Sequence, residues 1–207
     1  MSEYDEGEER IKILALGSQG VGKTCFIIKY TENHFEETYL STIGIDFKIK
    51  NININGRQYK LIFYDTMGQE KHRALALNII KKANGIILMY DIINKLSFDS
   101  IPKWIESIRE IKGDNFPMIL CGNKKDLENQ RKVSTQKGEE LANEYNIEFF
   151  EISNKDGINV DEAGLCIVNK ILEKKSRDSL EYNTSHFATG VNKRDKSIQK
   201  NICKQCC

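Results

Sequence analysis

The residues with the clearest capacity for chemistry are residues 17–24 (GSQGVGKT), which match the pattern G-x-x-x-x-G-K-[ST]. Glycines let backbone N–H groups turn onto phosphate oxygens, Lys23 adds a charge for the β and γ phosphates, and the Thr24 hydroxyl suits Mg²⁺. The alternative is a plain glycine turn. Because the stretch lies between a strand pattern and a helix pattern, the sequence predicts a phosphate-binding loop with contacts from Gly20, Val21, Gly22, Lys23, Thr24 and Cys25.

A second group of polar residues, 123–126 (NKKD), has the chemistry to read a base. The Asp126 carboxylate can accept hydrogen bonds from both N1–H and the 2-amino group of guanine, which adenine lacks. Sites that would leave such an acceptor unpaired reject the wrong ligand by roughly 10⁴-fold. The tetrapeptide alone also suits an ordinary polar turn. Its position after an apolar strand pattern, where ligands bind open α/β sheets, predicts a guanine contact from Asn123, Lys124 and Asp126.

A third stretch, residues 65–70 (DTMGQE), follows another strand pattern and completes a hydrolytic site. Asp65 is placed to act on the loop's Mg²⁺ through water, and the Gly68 N–H can reach a γ-phosphate. Gln69 is placed to orient the attacking water and is the predicted catalytic residue. The bland alternative is an Asp-Thr turn followed by an exposed glutamine. Because the three motifs occur in order, we favour GTP and GDP with Mg²⁺ as the ligands.

These motifs need a scaffold that brings them to one edge, and the pattern of apolar residues supplies it. Strand patterns at residues 85–90, 118–121 and 148–152 alternate with helix patterns at 97–111, 134–145 and 160–174. Asn55-Gly56 joins two further β-rich runs, 43–54 and 58–64, and favours a two-residue hairpin. The prediction is an α/β fold with a doubly wound, mostly parallel sheet and one antiparallel edge hairpin.

Composition and charge set the limits of the domain. Of the 207 residues, 31 are basic and 30 acidic, so the net charge of +1 argues against nucleic acid as a partner. Residues 1–9 are acidic, and from about residue 176 the chain becomes polar and aperiodic. We expect a disordered N-terminus at 1–9, a nucleotide-binding domain at 10–175 and a flexible tail at 176–207. Neither a signal peptide nor a membrane span is expected, and the cysteine placement suits a reducing cytosol.

From residue 10 to residue 174 the chain resembles the small GTPases, in particular the Rab family. The three motifs carry the resemblance, together with residues 43–47 (IGIDF) and 88–92 (LMYDI). The resemblance implies a P-loop G domain in which Phe35 stacks on guanine, Tyr39 covers the phosphates and Thr42 joins Thr24 and Asp65 at Mg²⁺ when GTP is bound. Ser153, Asn154 and Lys155 look like the last guanine loop, where the family usually has Ser-Ala-Lys and uses a backbone N–H.

The resemblance also implies partners: an exchange factor, a GTPase-activating protein, escort and dissociation-inhibitor proteins, and effectors, all acting on a monomer. Some Rab marks differ in this chain. Tyr64 replaces the usual tryptophan, residues 71–73 read KHR instead of Arg-Phe-Arg, and Ile79 and Ile80 replace paired tyrosines. The chain is therefore expected to be a divergent Rab whose effector and escort recognition differs from that of the family.

Cys206 and Cys207 end the chain and resemble the double-cysteine signal for geranylgeranylation of Rabs. Two lipid chains anchor a protein far more firmly than one. The alternative, a zinc half-site at Cys203 and Cys206, lacks a second ligand pair at zinc-finger spacing. The expected location is the cytoplasmic face of an endomembrane compartment, with an extracted cytosolic pool and a role in vesicle traffic.

Two hypotheses about the function remain open. The leading hypothesis is a hydrolysing switch, and the alternative is a slowly hydrolysing, mostly GTP-loaded binding module. Gln19 and Met67 stand where the family usually has glycine or serine and alanine, and both favour slow hydrolysis, whereas Gln69 opposes it. A P-loop phosphotransferase would need an acceptor site and a basic lid, for which the sequence offers no candidate.

Overall fold

A computed structural model describes residues 9–35, 45–66 and 73–180. The chain divides into two units, Met1–Lys170 and Ile171–Cys207. Strands of the first unit are β1 Glu9–Leu16, β2 Ile45–Ile54, β3 Arg57–Thr66, β4 Gly85–Asp91, β5 Met118–Asn123 and β6 Glu148–Glu151. Helices are α1 Lys23–Glu32, α2 Arg73–Lys82, α3 Lys95–Asp99, α4 Ile101–Lys112 and α5 Thr135–Glu144, and residues 160–180 are also helical.

The strands form one sheet in the order β2-β3-β1-β4-β5-β6, in which only β2 and β3 run antiparallel. Asn55 and Gly56 join this pair with positive φ angles of 52° and 82°, as a tight hairpin turn requires. The predicted fold class, a mostly parallel α/β sheet with one antiparallel edge hairpin, is therefore confirmed.

Alternating side chains of the strands bury both faces of the sheet. Leu14, Leu88 and Leu120 point into one core, which also holds Trp104 of α4. Phe63 lies on the opposite face, where its ring meets the Tyr30 ring of α1 edge to face with centroids 5.4 Å apart. Burial on both faces explains why the central strands are near-continuous apolar runs, and it leaves the strand ends as the place for polar chemistry.

The helix predicted over residues 97–111 is wrong in one respect, because the structure has two helices there. α3 ends at Asp99 and α4 begins at Ile101, with Ser100 between them. Pro102 causes the break, since it has no N–H for the carbonyl of Phe98 and its ring collides with that carbonyl in a continuous helix.

Among the described residues, no helix has the length and apolar character needed to cross a bilayer.

Candidate functional site

The phosphate-binding loop runs from the end of β1 to the start of α1. Gly17 has a φ of 148°, and a Cβ built on it would lie 2.1 Å from the carbonyl oxygen of Met89 in β4. Gly20 and Gly22 also have positive φ angles, 77° and 97°. Only glycine combines such backbone angles with so close an approach to the neighbouring strand. The loop is thereby set between two strand ends, and it leads into the N-terminus of α1, a position that favours an anion.

Lys23 is the first residue of α1, and its side chain folds back over the loop. The Nζ donates to the carbonyl oxygens of Gly17 at 3.0 Å and Ser18 at 2.9 Å, and the residue is only 5 % exposed. A buried ammonium held over the loop it follows is well placed for a phosphate.

The two predicted metal-binding residues that the structure describes meet directly. Thr24 Oγ1 donates to Asp65 Oδ2 at 2.6 Å, and Asp65 is 3 % exposed at the end of β3. A hydroxyl that donates its proton to a carboxylate can still offer its oxygen to a cation. A hydroxyl and a carboxylate oxygen at the phosphate loop fit Mg²⁺, a hard cation that takes oxygen ligands and keeps several waters.

The base-reading loop, residues 123–126, is the loop predicted to contact guanine. Asn123 ends β5, and its side chain joins this loop to the phosphate loop. Its Nδ2 donates to the carbonyl oxygen of Val21 at 2.7 Å, and its Oδ1 accepts from the backbone N–H of Asn154 at 3.4 Å. Lys124 follows with a positive φ of 70°, and its Nζ lies 2.7 Å from Asp91 Oδ2 at the end of β4. The residues 123 and 124 are thus each held by a group from another strand end or loop.

Asp126 is fixed by the other loop predicted to contact guanine. Ser153 Oγ donates to Asp126 Oδ1 at 2.7 Å and accepts from the backbone N–H of Asp156 at 3.1 Å. Lys125 N–H also donates to the carbonyl oxygen of Ile152 at 3.0 Å. These bonds set the plane of the Asp126 carboxylate, which matters because two parallel hydrogen bonds to one base edge require a fixed orientation.

Two contacts of the site involve side chains for which the sequence analysis predicted no role. Asn154, expected to act through its backbone alone, also uses its side chain, and Nδ2 donates to the carbonyl oxygen of Gly22 at 2.9 Å. Its departure from the usual alanine was the one signal available.

The second such contact is an ion pair between the segment after the base-reading loop and β6. Arg131 NH1 and NH2 donate to the two carboxylate oxygens of Glu151 at 2.6 and 3.0 Å, and Arg131 also binds Glu128. The hydrogen bonds to Glu128 and then Glu151 raise the pKa of the Arg131 guanidinium, and the bond to Arg131 lowers the pKa of Glu128. The pair ties the segment after Asp126 to the strand before Ser153.

The remaining predicted residues differ in what the structure says of them. Phe35 is half-buried beyond the end of α1, Lys155 is exposed, and Cys25 is half-buried in the first turn of α1. Burial, followed by the charge of Asp65, raises the pKa of the Cys25 thiol. The others lie outside the described residues: Tyr39, Thr42, Gly68, Gln69, Cys206 and Cys207.

Comparison with known proteins agrees with this arrangement. The family model described as "Ras family" matches residues 12–173. Ras-related protein Rab-13 of Bos taurus is 42 % identical over 185 residues, which cover 89 % of this chain and 91 % of that protein. Ras-related protein Rab-8B of Homo sapiens is 41 % identical over 174 residues, or 84 % of each chain.

A fungal relative extends the similarity further along the chain. GTP-binding protein ypt2 of Schizosaccharomyces pombe is 38 % identical over 193 residues, which cover 93 % of this chain and 96 % of that protein. These relatives each cover most of this chain, and the family model covers residues 12–173. This chain therefore belongs to the Ras family and is a small GTPase of the Rab type.

Proposed function

We propose that this GTPase is a membrane-anchored GTP/GDP switch that regulates a step of intracellular vesicle traffic. One observation carries the nucleotide part of the proposal: Asn123 of the base-reading loop bonds directly to Val21 of the phosphate loop at 2.7 Å. Loops suited to guanine and to phosphates therefore lie side by side. A nucleoside phosphate that contacts both would span this junction.

In the proposed mechanism, the phosphate loop and Lys23 bind the phosphates, while Asn123, Lys124, Asp126 and the loop of Ser153 bind guanine. Thr24 and Asp65, with Thr42 in the GTP state, would hold Mg²⁺, which offsets the charge that develops on the phosphates. Gln69 orients the attacking water, and the Gly68 N–H binds the γ-phosphate. Loss of that phosphate releases Thr42 and Gly68, which gives two states for partners to distinguish.

Effectors need an accessible surface, and the edge hairpin provides one. Phe47 and Ile49 of β2 are 59 % and 47 % exposed, and Phe47 pairs across the strands with half-buried Tyr64 of β3. Exposed large apolar side chains in one row mark an interaction surface. We assign effector binding to this row, in which Tyr64 stands where the family usually has tryptophan.

The alternative of a slowly hydrolysing binding module is not favoured, because the relatives belong to a family of GTP hydrolases. Gln19, which is exposed in the phosphate loop, still bears on the rate of hydrolysis.

The membrane part of the proposal rests on Cys206 and Cys207 and is tested in the cell of origin. The tagged protein is separated into membrane and soluble fractions, beside the double variant Cys206→Ser/Cys207→Ser and the control Cys203→Ser. We expect the parent and the control to sediment with membranes and the double variant to stay soluble, because two prenyl chains supply the anchor. Sedimentation of the double variant to the parent's extent would contradict the assigned anchor.

A further inference from the structure

The side chain of Asn154 forms a contact that the usual alanine could not form. Its Nδ2 donates to the carbonyl oxygen of Gly22 at 2.9 Å, across 132 residues of sequence, and Asn154 is only 3 % exposed. The nitrogen must face Gly22, because an amide oxygen there would oppose another acceptor. The same Gly22 carbonyl accepts from the N–H of Phe26 at 2.9 Å, which is the first turn of α1. Asn154 therefore holds the point where the phosphate loop becomes a helix.

A second amide holds the neighbouring peptide group. Asn123 Nδ2 donates to the carbonyl oxygen of Val21 at 2.7 Å. Two consecutive carbonyls of the phosphate loop are therefore bound by side chains, one from the base-reading loop and one from the last guanine loop. Gly22 admits both amides, since a Cβ there would lie 2.3 Å from Asn123 Nδ2 and 2.9 Å from Asn154 Nδ2. Asn123 belongs to the motif that predicted guanine binding. Asn154 adds a second tie that depends on this chain's own residue.

We propose that Asn154 is a positioning residue whose side chain ties the last guanine loop to the phosphate loop and slows the release of bound nucleotide. The inference rests on the proposed binding of GDP across these loops. A ligand that contacts two loops leaves when either loop opens, and the Asn154–Gly22 bond must break before the loops move apart. Loops already held in the binding arrangement also lose less freedom when the ligand binds.

The test measures the release of GDP that carries a fluorescent label on its ribose, from the purified full-length protein. Asn154→Ala keeps the backbone N–H and removes only the side-chain donor. One intramolecular hydrogen bond corresponds to about a three- to tenfold acceleration of release. The melting temperature of Asn154→Ala should fall no further than that of Asn159→Ala, which also loses one side-chain hydrogen bond, so a general loss of stability would not explain faster release.

Asn159→Ala is the matched control. Asn159 Nδ2 donates to the backbone carbonyl of Glu151 at 2.8 Å, and its φ is positive at 55°, so alanine loosens the same segment without touching the phosphate loop. We expect this variant to release GDP at close to the parent rate.

Three results would overturn the inference: unchanged or slower release from Asn154→Ala, equal acceleration in Asn159→Ala, or a fall in the melting temperature of Asn154→Ala well beyond that of Asn159→Ala. If the parent binds GDP but the parent and Asn154→Ala release it at equal rates, only this inference is overturned. Failure of the parent to bind GDP would overturn the proposed function and the inference with it.

Discussion

Position 22 leaves no room for a side chain, because two amides already fill the space where a Cβ would stand. Gly22→Ala should displace Asn123 and Asn154 and also strain the backbone at a φ of 97°. We expect GDP affinity to fall by at least about tenfold, since the loss of even one buried hydrogen bond has about this effect.

A matched glycine variant separates backbone strain from the collision. Gly56 has a φ of 82° in the hairpin turn, and a Cβ there would meet nothing within 4 Å. Gly56→Ala should therefore lower the melting temperature without changing GDP affinity in a titration at a temperature where both variants are folded. Equal GDP affinities for Gly22→Ala and the parent would contradict this account of the site.

Asp126 is the residue assigned to base identity, and Ser153 already fixes the orientation of its carboxylate. Asp126→Asn replaces one acceptor oxygen by a donor, which opposes the 2-amino group of guanine and suits the 2-oxo group of xanthine. We expect guanine nucleotide to bind at least about 10²-fold more weakly, because a mismatched polar pair is buried. Competition between GDP and XDP measures the change. Unaltered preference for GDP would remove Asp126 from the base contact.

Gln19 and Met67 are the residues that bear on the rate of hydrolysis, and Met67 lies outside the described residues. By resemblance to the family, a long side chain at position 19 is expected to crowd the space of Gln69 and the attacking water, and positioning supplies most of this catalysis. We predict slow intrinsic hydrolysis that Gln19→Ser or Met67→Ala accelerates. Single-turnover rates decide the matter, with Gln69→Leu as the slow reference. If neither substitution accelerates the reaction, both residues are neutral.

At the scale of elements, the Arg131–Glu151 pair holds β6 against the segment that follows the base-reading loop. Its side chains are 14 % and 6 % exposed. Glu151→Gln leaves part of the Arg131 charge without a carboxylate partner in a poorly solvated place. We expect the free energy of unfolding to fall by about 1–3 kcal/mol, the cost of an unsatisfied buried group. Denaturant unfolding measures it.

The exposed pair of Lys95 and Asp99 in α3 is the matched control for this variant. Its nitrogen and oxygen lie 2.6 Å apart, as in the Arg131 pair, but the side chains are 61 % and 43 % exposed. Asp99→Asn should change the unfolding free energy by less than about 0.5 kcal/mol, because water screens the pair. Equal effects of the two substitutions would show that burial does not set the strength of the Arg131 pair.

Local patterns were enough to predict the strands and most of the helices but not α2 at Arg73–Lys82, and they did not predict the long-range contacts. The hairpin at Asn55-Gly56 and the strand before each motif follow from turn chemistry and apolar runs within a few residues. The break at Ser100 was missed because the helical pattern continued through it, although Pro102 marked the place. Asn154 and Gly22 are 132 residues apart, and Arg131 and Glu151 are 20 apart. The sequence around these four residues does not indicate which distant residue each one contacts.

At the scale of the whole molecule, sheet topology explains why short motifs suffice to build the site. β1, β3, β4, β5 and β6 run parallel, so their carboxyl ends share one edge. The phosphate loop, Asp65, Asn123 and Ser153 each follow or end one of these strands. Ligands of such sheets bind at this edge. We expect this junction to select guanine and exclude adenine.

Competition for the nucleotide site tests this selectivity for guanine over adenine. The purified protein is loaded with labelled GDP in Mg²⁺ and titrated in parallel with unlabelled GTP, GDP and ATP. We expect GTP and GDP to displace the label at comparable concentrations, and ATP to fail at roughly 10⁴-fold higher concentration, because adenine leaves the Asp126 carboxylate unpaired. Displacement by ATP at concentrations similar to those of GTP would contradict the guanine assignment and with it the account given for this site.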